Sequence, residues 1–256
     1  MKHTGNTIFI TGGGSGIGRA LAAAWHADGN QVVIAGRDSA RLDATTRAHS
    51  GMRSVVLNIS SAESIRRVAG QLEVDFPALN VVVHNAGMMQ TESLASGALD
   101  VAEATIATNL LGPIRLTAAL LPRLLTQPAA AIVTVSSGLA FVPLALNPTY
   151  CASKAAIHSY TQSLRYQLKD SSVQVIELVP PYVQTELQGA RQASDPMAMP
   201  LADFIGETMR QLKASPAATE ICVERVKPQR LAEAGGNYDE FFVRFNDAMA
   251  AARAKS

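Results

Sequence analysis

Six short runs of β-branched and other apolar residues recur along the chain, and segments with helical spacing separate them. The runs are TIFIT (7–11), QVVIAG (31–36), RSVVLNI (53–59), LNVVVHNAG (79–87), AAIVTVSS (130–137) and SVQVIELV (172–179). Several of them are apolar nearly throughout, which is typical of parallel strands that helices cover on both faces. The pattern therefore predicts an α/β fold, a doubly wound three-layer sandwich with a central parallel sheet of about seven strands.

The spacing of apolar residues between these runs places helices roughly at 17–28, 39–49, 61–73, 98–125 and 148–169, with two or three more after 201. Gly112-Pro113 should kink or split the fourth helix, because proline lacks an N–H. Prolines and a glycine interrupt the stretch 181–200, which is expected to be an irregular loop serving as a lid. No repeat or linker divides the sequence, so residues 1–256 are expected to form a single domain.

Composition argues against several classes of partner. The 22 basic and 21 acidic residues leave a formal charge of +1, so no global field attracts nucleic acid or an anionic membrane. The two cysteines, Cys151 and Cys222, have neither disulfide nor zinc-site spacing, and no metal is expected. The first apolar run is too short for a signal peptide or a membrane span. We expect a cytoplasmic protein that neither binds nucleic acid nor inserts into a membrane.

A glycine-rich turn, TGGGSGIG (11–18), lies between the first predicted strand and the first predicted helix. Glycines remove Cβ atoms and permit positive φ, so the backbone can approach a pyrophosphate at a helix N-terminus. An ordinary tight loop would use glycines as well. The position of the turn in an α/β chain nevertheless favours dinucleotide binding.

The end of the second predicted strand bears on which dinucleotide would bind. Where an NAD-binding protein places an acidic residue, IAGRD (34–38) has Gly36 followed by Arg37. The glycine leaves room for a 2′-phosphate, and a guanidinium can bind that phosphate through two donors. We therefore expect NADP in preference to NAD. The alternative is that Arg37 is a solvated surface arginine.

Tyr150 and Lys154 are four residues apart at the predicted start of the fifth helix, so both can lie on one face of it. An ammonium about 5 Å from a phenol favours the phenolate by roughly 3 kcal/mol, or about two pKa units. Such a phenol can act as a general acid and base. The pair alone is common on exposed helix faces, so its weight depends on the glycine turn and on Ser137, thirteen residues before the tyrosine.

Together, TGGGSGIG, the tripeptide NAG (85–87), Asn109, Ser137 and YCASK (150–154) resemble the short-chain dehydrogenase/reductase superfamily in its single-domain, Rossmann-fold form. The likeness covers residues 7 to about 185. Beyond 201 the chain is similar to the bacterial DltE-like short-chain oxidoreductases. The resemblance implies reversible hydride transfer between NADP(H) and a carbonyl compound or secondary alcohol.

The resemblance also implies roles for individual residues. Tyr150 would be the acid and base, and Lys154 would lower its pKa and hold the nicotinamide ribose. Ser137 would polarise the substrate oxygen, with the adjacent Ser136 as the alternative because it points to the opposite face of the strand. Asn109 would hold a water in a proton relay that ends at Lys154, unless it is only a satisfied buried amide.

Cofactor contacts are expected at the carboxyl ends of the strands. Asn58 stands where the family usually has an aspartate, which removes a negative charge near a phosphate. Pro181 replaces a usual glycine, which puts the pose of the nicotinamide in question. The expected cofactor-binding residues are Gly12, Gly14, Ser15, Gly16, Ile17, Gly18, Arg37, Asn58, Ile59, Asn85, Ala86, Gly87, Tyr150, Lys154, Pro180, Val183 and Thr185.

The segment GLAFVPLALN (138–147) carries no charge and predicts an apolar wall, which suits a hydrophobic alcohol or ketone. A homodimer or homotetramer, formed through the helices near 100–125 and 148–170, is implied by the resemblance. Cys151 is expected to pack, His84 to be a buried strand residue and His158 to be a helix contact.

Two competing functions use the same glycine turn. One is a non-catalytic protein that senses NADP(H), which would need the turn but not the acid. The other is an S-adenosylmethionine methyltransferase, which would normally carry an acidic residue where Gly36 stands.

Overall fold

The computed structural model describes residues 1–254 and contains a seven-stranded parallel sheet with helices on both faces. The strands are β1 Thr7–Thr11, β2 Gln31–Gly36, β3 Arg53–Val56, β4 Leu79–His84, β5 Ala130–Val135, β6 Val173–Val179 and β7 Glu220–Cys222. Their order in the sheet is β3-β2-β1-β4-β5-β6-β7. The predicted doubly wound fold is confirmed.

Ten helices are found among the described residues: α1 Gly16–Ala27, α2 Ser39–Ala48, α3 Ala62–Asp75, α4 Asp100–Ile106, α5 Gly112–Leu125, α6 Pro148–Gln167, α7 Ala190–Ser194, α8 Leu201–Ala214, α9 Lys227–Arg230 and α10 Tyr238–Ala254. The first strands and helices lie within a few residues of their predicted bounds. The predicted third strand is shorter than expected, because pairing with β2 ends at Val56. The loop 181–200 is mainly irregular, as predicted, but contains α7.

Each face of the sheet is closed by its own hydrophobic core. One core contains Trp25 of α1 and Phe204 of α8, and the other contains residues of α3, α5 and α6 such as Leu72, Leu116 and Leu164. All five residues of β1 are buried, because both layers of helices cover this central strand. The winding of the chain reverses between β1 and β4, which opens a crevice at the carboxyl ends of these two strands.

A π-helical turn at Ala107–Leu111 joins α4 to α5. Pro113 has no N–H to offer the carbonyl of Asn109, so the regular helical hydrogen bond cannot form there. The predicted interruption therefore exists, but it is a π turn that precedes Gly112. Among the described residues, Asp100–Leu125 is also the one helical segment with the length and mean hydropathy (1.3) of a membrane span, and in the fold it packs against α3 and α6.

Candidate functional site

A cleft of about 620 Å³ opens at the carboxyl ends of the central strands. A second cavity of about 330 Å³ lies beside the ends of β2 and β3. Gly12, Ser15, Arg37, Ala86 and Gly87 line both cavities, so the two spaces meet at the glycine turn. Their position matches the crevice at which doubly wound sheets bind ligands.

The glycine turn brings bare backbone to the floor of this cleft. Gly12 has φ +69° and Gly16 has φ +51°, a region that side chains other than glycine rarely adopt. A Cβ on Gly12 would lie 2.9 Å from the backbone of Ala86. Ser15 precedes α1 without capping it through its side chain. The N–H groups of the first turn of α1 are therefore available to an anion.

Asn85 braces the two central strands. Its side-chain amide donates to the carbonyl of Thr11 at 2.9 Å and to that of Gly12 at 3.3 Å. In return, the hydroxyl of Thr11 accepts from the backbone N–H groups of Asn85 and Ala86 at 3.1 and 3.0 Å. These contacts fix the glycine turn relative to the end of β4.

Almost all of the expected cofactor-binding residues line one of the two cavities. Gly18 is the exception. It is buried under the turn, where a Cβ would lie 2.3 Å from both the Asn85 amide nitrogen and the Gly12 carbonyl oxygen. Gly18 therefore supports the turn through close packing and is not exposed to a ligand in the cleft.

Two arginines border both cavities near the end of β2. Arg37 is exposed and forms no ion pair with any residue in 1–254. Arg41 lies 3.0 Å from Glu186 and 3.4 Å from Asp38, so it links α2 to the loop after β6. The sequence analysis missed Arg41, although a basic residue one helical turn after Arg37 was a usable signal.

Tyr150, Ser137 and Lys154 lie together at the inner end of the larger cleft, and all three are buried. Ser137 lies beside Tyr150 and lowers the pKa of its phenol, whereas Ser136 reaches the backbone of β6. Lys154 donates from Nζ to the carbonyl of Val135 at 2.8 Å. Its Nζ lies 5.6 Å from the centroid of the Tyr150 ring. The structure thus brings the predicted serine, and not its neighbour, to the tyrosine.

Burial dominates the titration of this cluster. It raises the pKa of Tyr150 above the ordinary value, although the hydrogen bond with Ser137 lowers it in part. Burial also lowers the pKa of Lys154 to about 8, while the carboxylate of Glu177 opposes that shift. The lowering of the tyrosine pKa that the sequence suggested is not found here. Burial disfavours the charged phenolate more strongly than its surroundings favour it.

Asn109 lies in the π turn and is buried. Its amide exchanges two hydrogen bonds with the backbone of Met88, both at 2.9 Å, and donates to the hydroxyl of Ser153 at 3.1 Å. The side chain is therefore a satisfied amide that ties the π turn and α6 to the segment after β4. Its role in a water relay stays a prediction.

His84 and Cys151 could suggest catalytic roles but are structural, whereas the expectation for His158 needs a correction. His84 is buried, bonds Thr117 at 2.9 Å and has its pKa lowered to about 4 by burial. Burial raises the pKa of Cys151 to about 11, so its thiol stays protonated. His158 was expected to be a helix contact, but its Nδ1 lies 2.8 Å from the buried carboxylate of Glu177.

The C-terminal helix α10 forms part of the site's surroundings, which the sequence analysis did not foresee. Asn246 accepts from the N–H of Ala145 at 2.7 Å and donates to the carbonyl of Pro143 at 3.1 Å. Phe245 and Met249 pack against the apolar cluster that includes Tyr150. No local pattern could reveal this contact, since about 100 residues separate the partners.

Comparison with known proteins agrees with this geometry. A model of the short chain dehydrogenase family matches residues 6–196. The uncharacterized oxidoreductase DltE of Bacillus subtilis is 38% identical over 251 residues, which cover 96% of this chain and 98% of that protein.

Solved structures show the same architecture. A short-chain dehydrogenase from Sphingobium yanoikuyae in complex with NADPH has a TM-score of 0.78 and 25% identity, with 90% of this chain and 93% of that chain covered. A short chain dehydrogenase/reductase from Burkholderia phymatum in complex with NAD has a TM-score of 0.80 and 21% identity, with 91% and 95% covered. Because the family model spans most of the sequence and the DltE relative nearly all of it, the chain belongs to the short chain dehydrogenases, the NAD(P)-dependent oxidoreductases, within a DltE-like subgroup.

Proposed function

We propose that this protein is a single-domain, NADP(H)-dependent oxidoreductase that transfers hydride between the nicotinamide and a hydrophobic carbonyl compound or its secondary alcohol. The observation that carries the proposal is the buried set of Tyr150, Ser137 and Lys154 at the inner end of the cleft. A protein that only senses the cofactor would have no use for an acid beside a serine at this place.

The cleft suits a dinucleotide in shape and in chemistry. Its two cavities meet at the glycine turn, where the uncapped first turn of α1 can bind a pyrophosphate. Asn58 and Ile59 would contact the adenine end, and Val183 and Thr185 the nicotinamide end. Lys154 would hold the nicotinamide ribose. When bound, the cofactor supplies or accepts the hydride.

The preference for NADP rests on the end of β2. Gly36 offers no carboxylate to repel a 2′-phosphate. Arg37 has no ionic partner among residues 1–254 and borders both cavities, so its guanidinium is available for a phosphate. Arg41 adds a second positive charge at the same edge. We propose that these two arginines discriminate NADP from NAD.

The protein's own groups account for the proton that accompanies the hydride. The raised pKa keeps the phenol of Tyr150 protonated at neutral pH, so in the reductive direction it can donate to the carbonyl oxygen. Ser137 can hydrogen-bond the same oxygen and stabilise the charge that develops on it. The nearby Lys154 ammonium favours the phenolate left behind. We propose that Asn109 supports the relay that returns a proton towards Lys154.

Part of the cleft's lining is apolar, and Met89 and Tyr150 connect it to a buried apolar cluster. Met89, Leu144, Tyr150 and Cys151 form a buried cluster that Phe245 and Met249 of α10 extend. A wall of this kind favours a hydrophobic aldehyde, ketone or alcohol over a phosphorylated sugar.

We also propose that the protein is cytoplasmic and self-associates as a homodimer or homotetramer. Leu111 and Leu125 are 37% and 47% exposed on the α4–α5 segment, and Tyr166 is 71% exposed on α6. Apolar residues on these two helices can be covered by a second copy. Light scattering over a range of concentrations tests this, and a monomer at every concentration would contradict it.

A screen of hydrophobic aldehydes and ketones for oxidation of NADPH, with NADH in parallel, tests the function directly. The expected result is turnover of at least one carbonyl compound, with kcat/KM higher for NADPH than for NADH. Equal use of both cofactors would remove the role given to Arg37. Cofactor binding without turnover of any carbonyl compound or alcohol would favour a non-catalytic protein that senses NADP(H).

A further inference from the structure

Glu177, in the middle of β6, is a carboxylate that the proposed chemistry does not use. It is 0% exposed, and it lies in a strand whose other residues are mostly apolar. A buried carboxylate strongly destabilises a fold unless a positive charge or several hydrogen-bond donors compensate it. The groups around Glu177 should therefore include a cation or several hydrogen-bond donors.

The nearest partner of Glu177 is the ring of His158 on α6. Its Nδ1 lies 2.8 and 3.0 Å from the two carboxylate oxygens. The amide nitrogen of Gln162 lies 3.1 Å from the other ring nitrogen, Nε2. With that amide as donor, Nε2 accepts its hydrogen bond and the N–H at Nδ1 donates to the carboxylate. His158 therefore holds the carboxylate of Glu177 in a fixed orientation.

The other charges of the cluster compensate each other. Arg230 binds both oxygens of Glu220, at 2.8 and 3.2 Å. Burial raises the pKa of the Cys222 thiol, which donates to Glu220 at 3.1 Å and stays neutral. Arg230 therefore neutralises Glu220. Arg230 also attracts Glu177, but this is the smallest of the interactions that raise the pKa of Arg230, so Glu177 has no closely paired lysine or arginine inside this cluster.

Lys154 is the cation placed to serve as the counter-ion of Glu177. Thr134 pairs with Glu177 across β5 and β6, so the two side chains lie on the same face of the sheet. The carbonyl of the next residue in β5, Val135, accepts the hydrogen bond from Lys154 Nζ. Lys154 also precedes His158 by one turn on the same face of α6. Tyr150 and Cys151 are the other titratable groups described at this end of α6, and both are neutral at physiological pH.

We propose that Glu177, oriented by His158, is the buried counter-ion of Lys154 and acts as a positioning residue that keeps this lysine protonated beside Tyr150. The inference rests on the role proposed above for Lys154. It adds to Tyr150, Ser137, Lys154 and Asn109 a carboxylate from β6 that acts through the lysine and touches neither substrate nor cofactor. In agreement, Glu177 raises the pKa of Lys154 against the lowering by burial.

A metal site is the competing interpretation of the same residues. Donor atoms of His158, Glu177 and Glu220 lie within 4.8 Å of one another. However, Arg230 already binds both oxygens of Glu220, and its guanidinium would repel a cation at this place. The geometry therefore favours a charge network without a metal.

Direct titration of Lys154 tests the proposal without any need for turnover. The sequence contains six lysines, so protein labelled with ¹³Cε-lysine gives few signals, and Lys154→Arg assigns the relevant one. We expect Glu177→Gln to lower the titration midpoint of Lys154 by about one pH unit. The matched control is Glu73→Gln, which removes an exposed carboxylate from α3 and should leave the midpoint unchanged.

The pH profile of kcat/KM provides a second readout. If Lys154 must be protonated, Glu177→Gln should lower kcat/KM about fivefold at pH 8 and change it little at pH 6. Equal loss at both pH values would indicate only a structural role. The proposal would be overturned if the titration midpoint of Lys154 in Glu177→Gln lay within about 0.3 pH units of the wild-type value, since a shift of roughly one unit is expected. Retention of one equivalent of Zn²⁺ by the wild type, and its loss in Glu177→Gln, would do so as well.

Failure of the proposed function would look different. A wild-type protein with no hydride transfer to any carbonyl would contradict that function, whereas the midpoint of Lys154 would still decide the role of Glu177. Where Glu177→Gln gives no folded protein, Glu177→Asp replaces it. The shortened carboxylate should lower the midpoint in the same direction by a smaller amount, and an unchanged midpoint would again contradict the proposal.

Discussion

Replacing Lys154 by methionine should make the protein more stable and inactive. Lys154 is 5% exposed, and burial lowers its pKa from 10.5 to about 8. A shift of about 2.5 units at 1.36 kcal/mol per unit means that keeping the folded amine charged at neutral pH costs about 3 kcal/mol, even after the attraction of Glu177 is included. Methionine removes this cost but loses the hydrogen bond to Val135, worth about 1 kcal/mol. The expected net gain in the free energy of unfolding at pH 7 is about 2 kcal/mol.

The sign of the pH dependence follows from the proton balance. Below pH 8 both the folded and the unfolded protein bind the proton, so the full penalty is present. Between pH 8 and 10.5 the unfolded chain binds more protons than the folded one, so the wild type gains stability as the pH rises. The advantage of Lys154→Met should therefore shrink across this window.

Thermal unfolding of both proteins at equal concentration, at pH 7 and at pH 9.5, measures the effect. For a chain of this size, about 2 kcal/mol corresponds to a rise in Tm of about 4–8 °C at pH 7. Comparing the variant with the wild type at each pH cancels the titration of the other groups. A variant that is less stable than the wild type at pH 7, or whose advantage is the same at both pH values, would refute the reasoning.

Three further predictions address the cofactor, α10 and the core. Arg37→Ala should lower kcat/KM with NADPH about tenfold or more, because charge-assisted bonds to a phosphate contribute roughly 1.5–3 kcal/mol. The double variant Arg37→Ala, Arg41→Ala should lower it further, while activity with NADH changes little in both proteins. Equal losses with both cofactors would contradict this role of the arginines. Asn246→Ala removes both bonds to the backbone of residues 143–145, so hydrogen exchange there should speed up and KM should rise with kcat nearly unchanged. Phe204→Ala, at a site 0% exposed, should destabilise the fold by about 3–5 kcal/mol in denaturant unfolding, and a loss under 1 kcal/mol would show that the core collapses into the space.

The central sheet could be predicted from the sequence because most of its strands are encoded by short local runs of residues. β1, β2 and β5 are mainly apolar runs, and the glycine turn follows β1 directly. The same is true of Tyr150 and Lys154, whose spacing of four residues determines that they lie on one helix face. These features depend on neighbours in the chain.

Other features depend on contacts between distant residues. β7 is only three residues long, so it has no periodicity that could distinguish it from a loop. Only the fold brings together the segments that two of these contacts join: the hydrogen bond between Asn246 and Ala145, and the pairing of Glu177 with His158. The raised pKa of Tyr150 belongs to the same class, because burial of the phenol is a property of the folded protein.

The central claim is that the phenol of Tyr150 donates the proton to the substrate. Tyr150→Phe keeps the ring and removes only the hydroxyl beside Ser137, so the most direct measurement is NADPH binding and turnover of a carbonyl substrate by this variant. The account predicts that the Kd for NADPH stays within about twofold while kcat falls by a factor of 10² or more. A variant that binds NADPH and still turns over the substrate at the wild-type rate would contradict it.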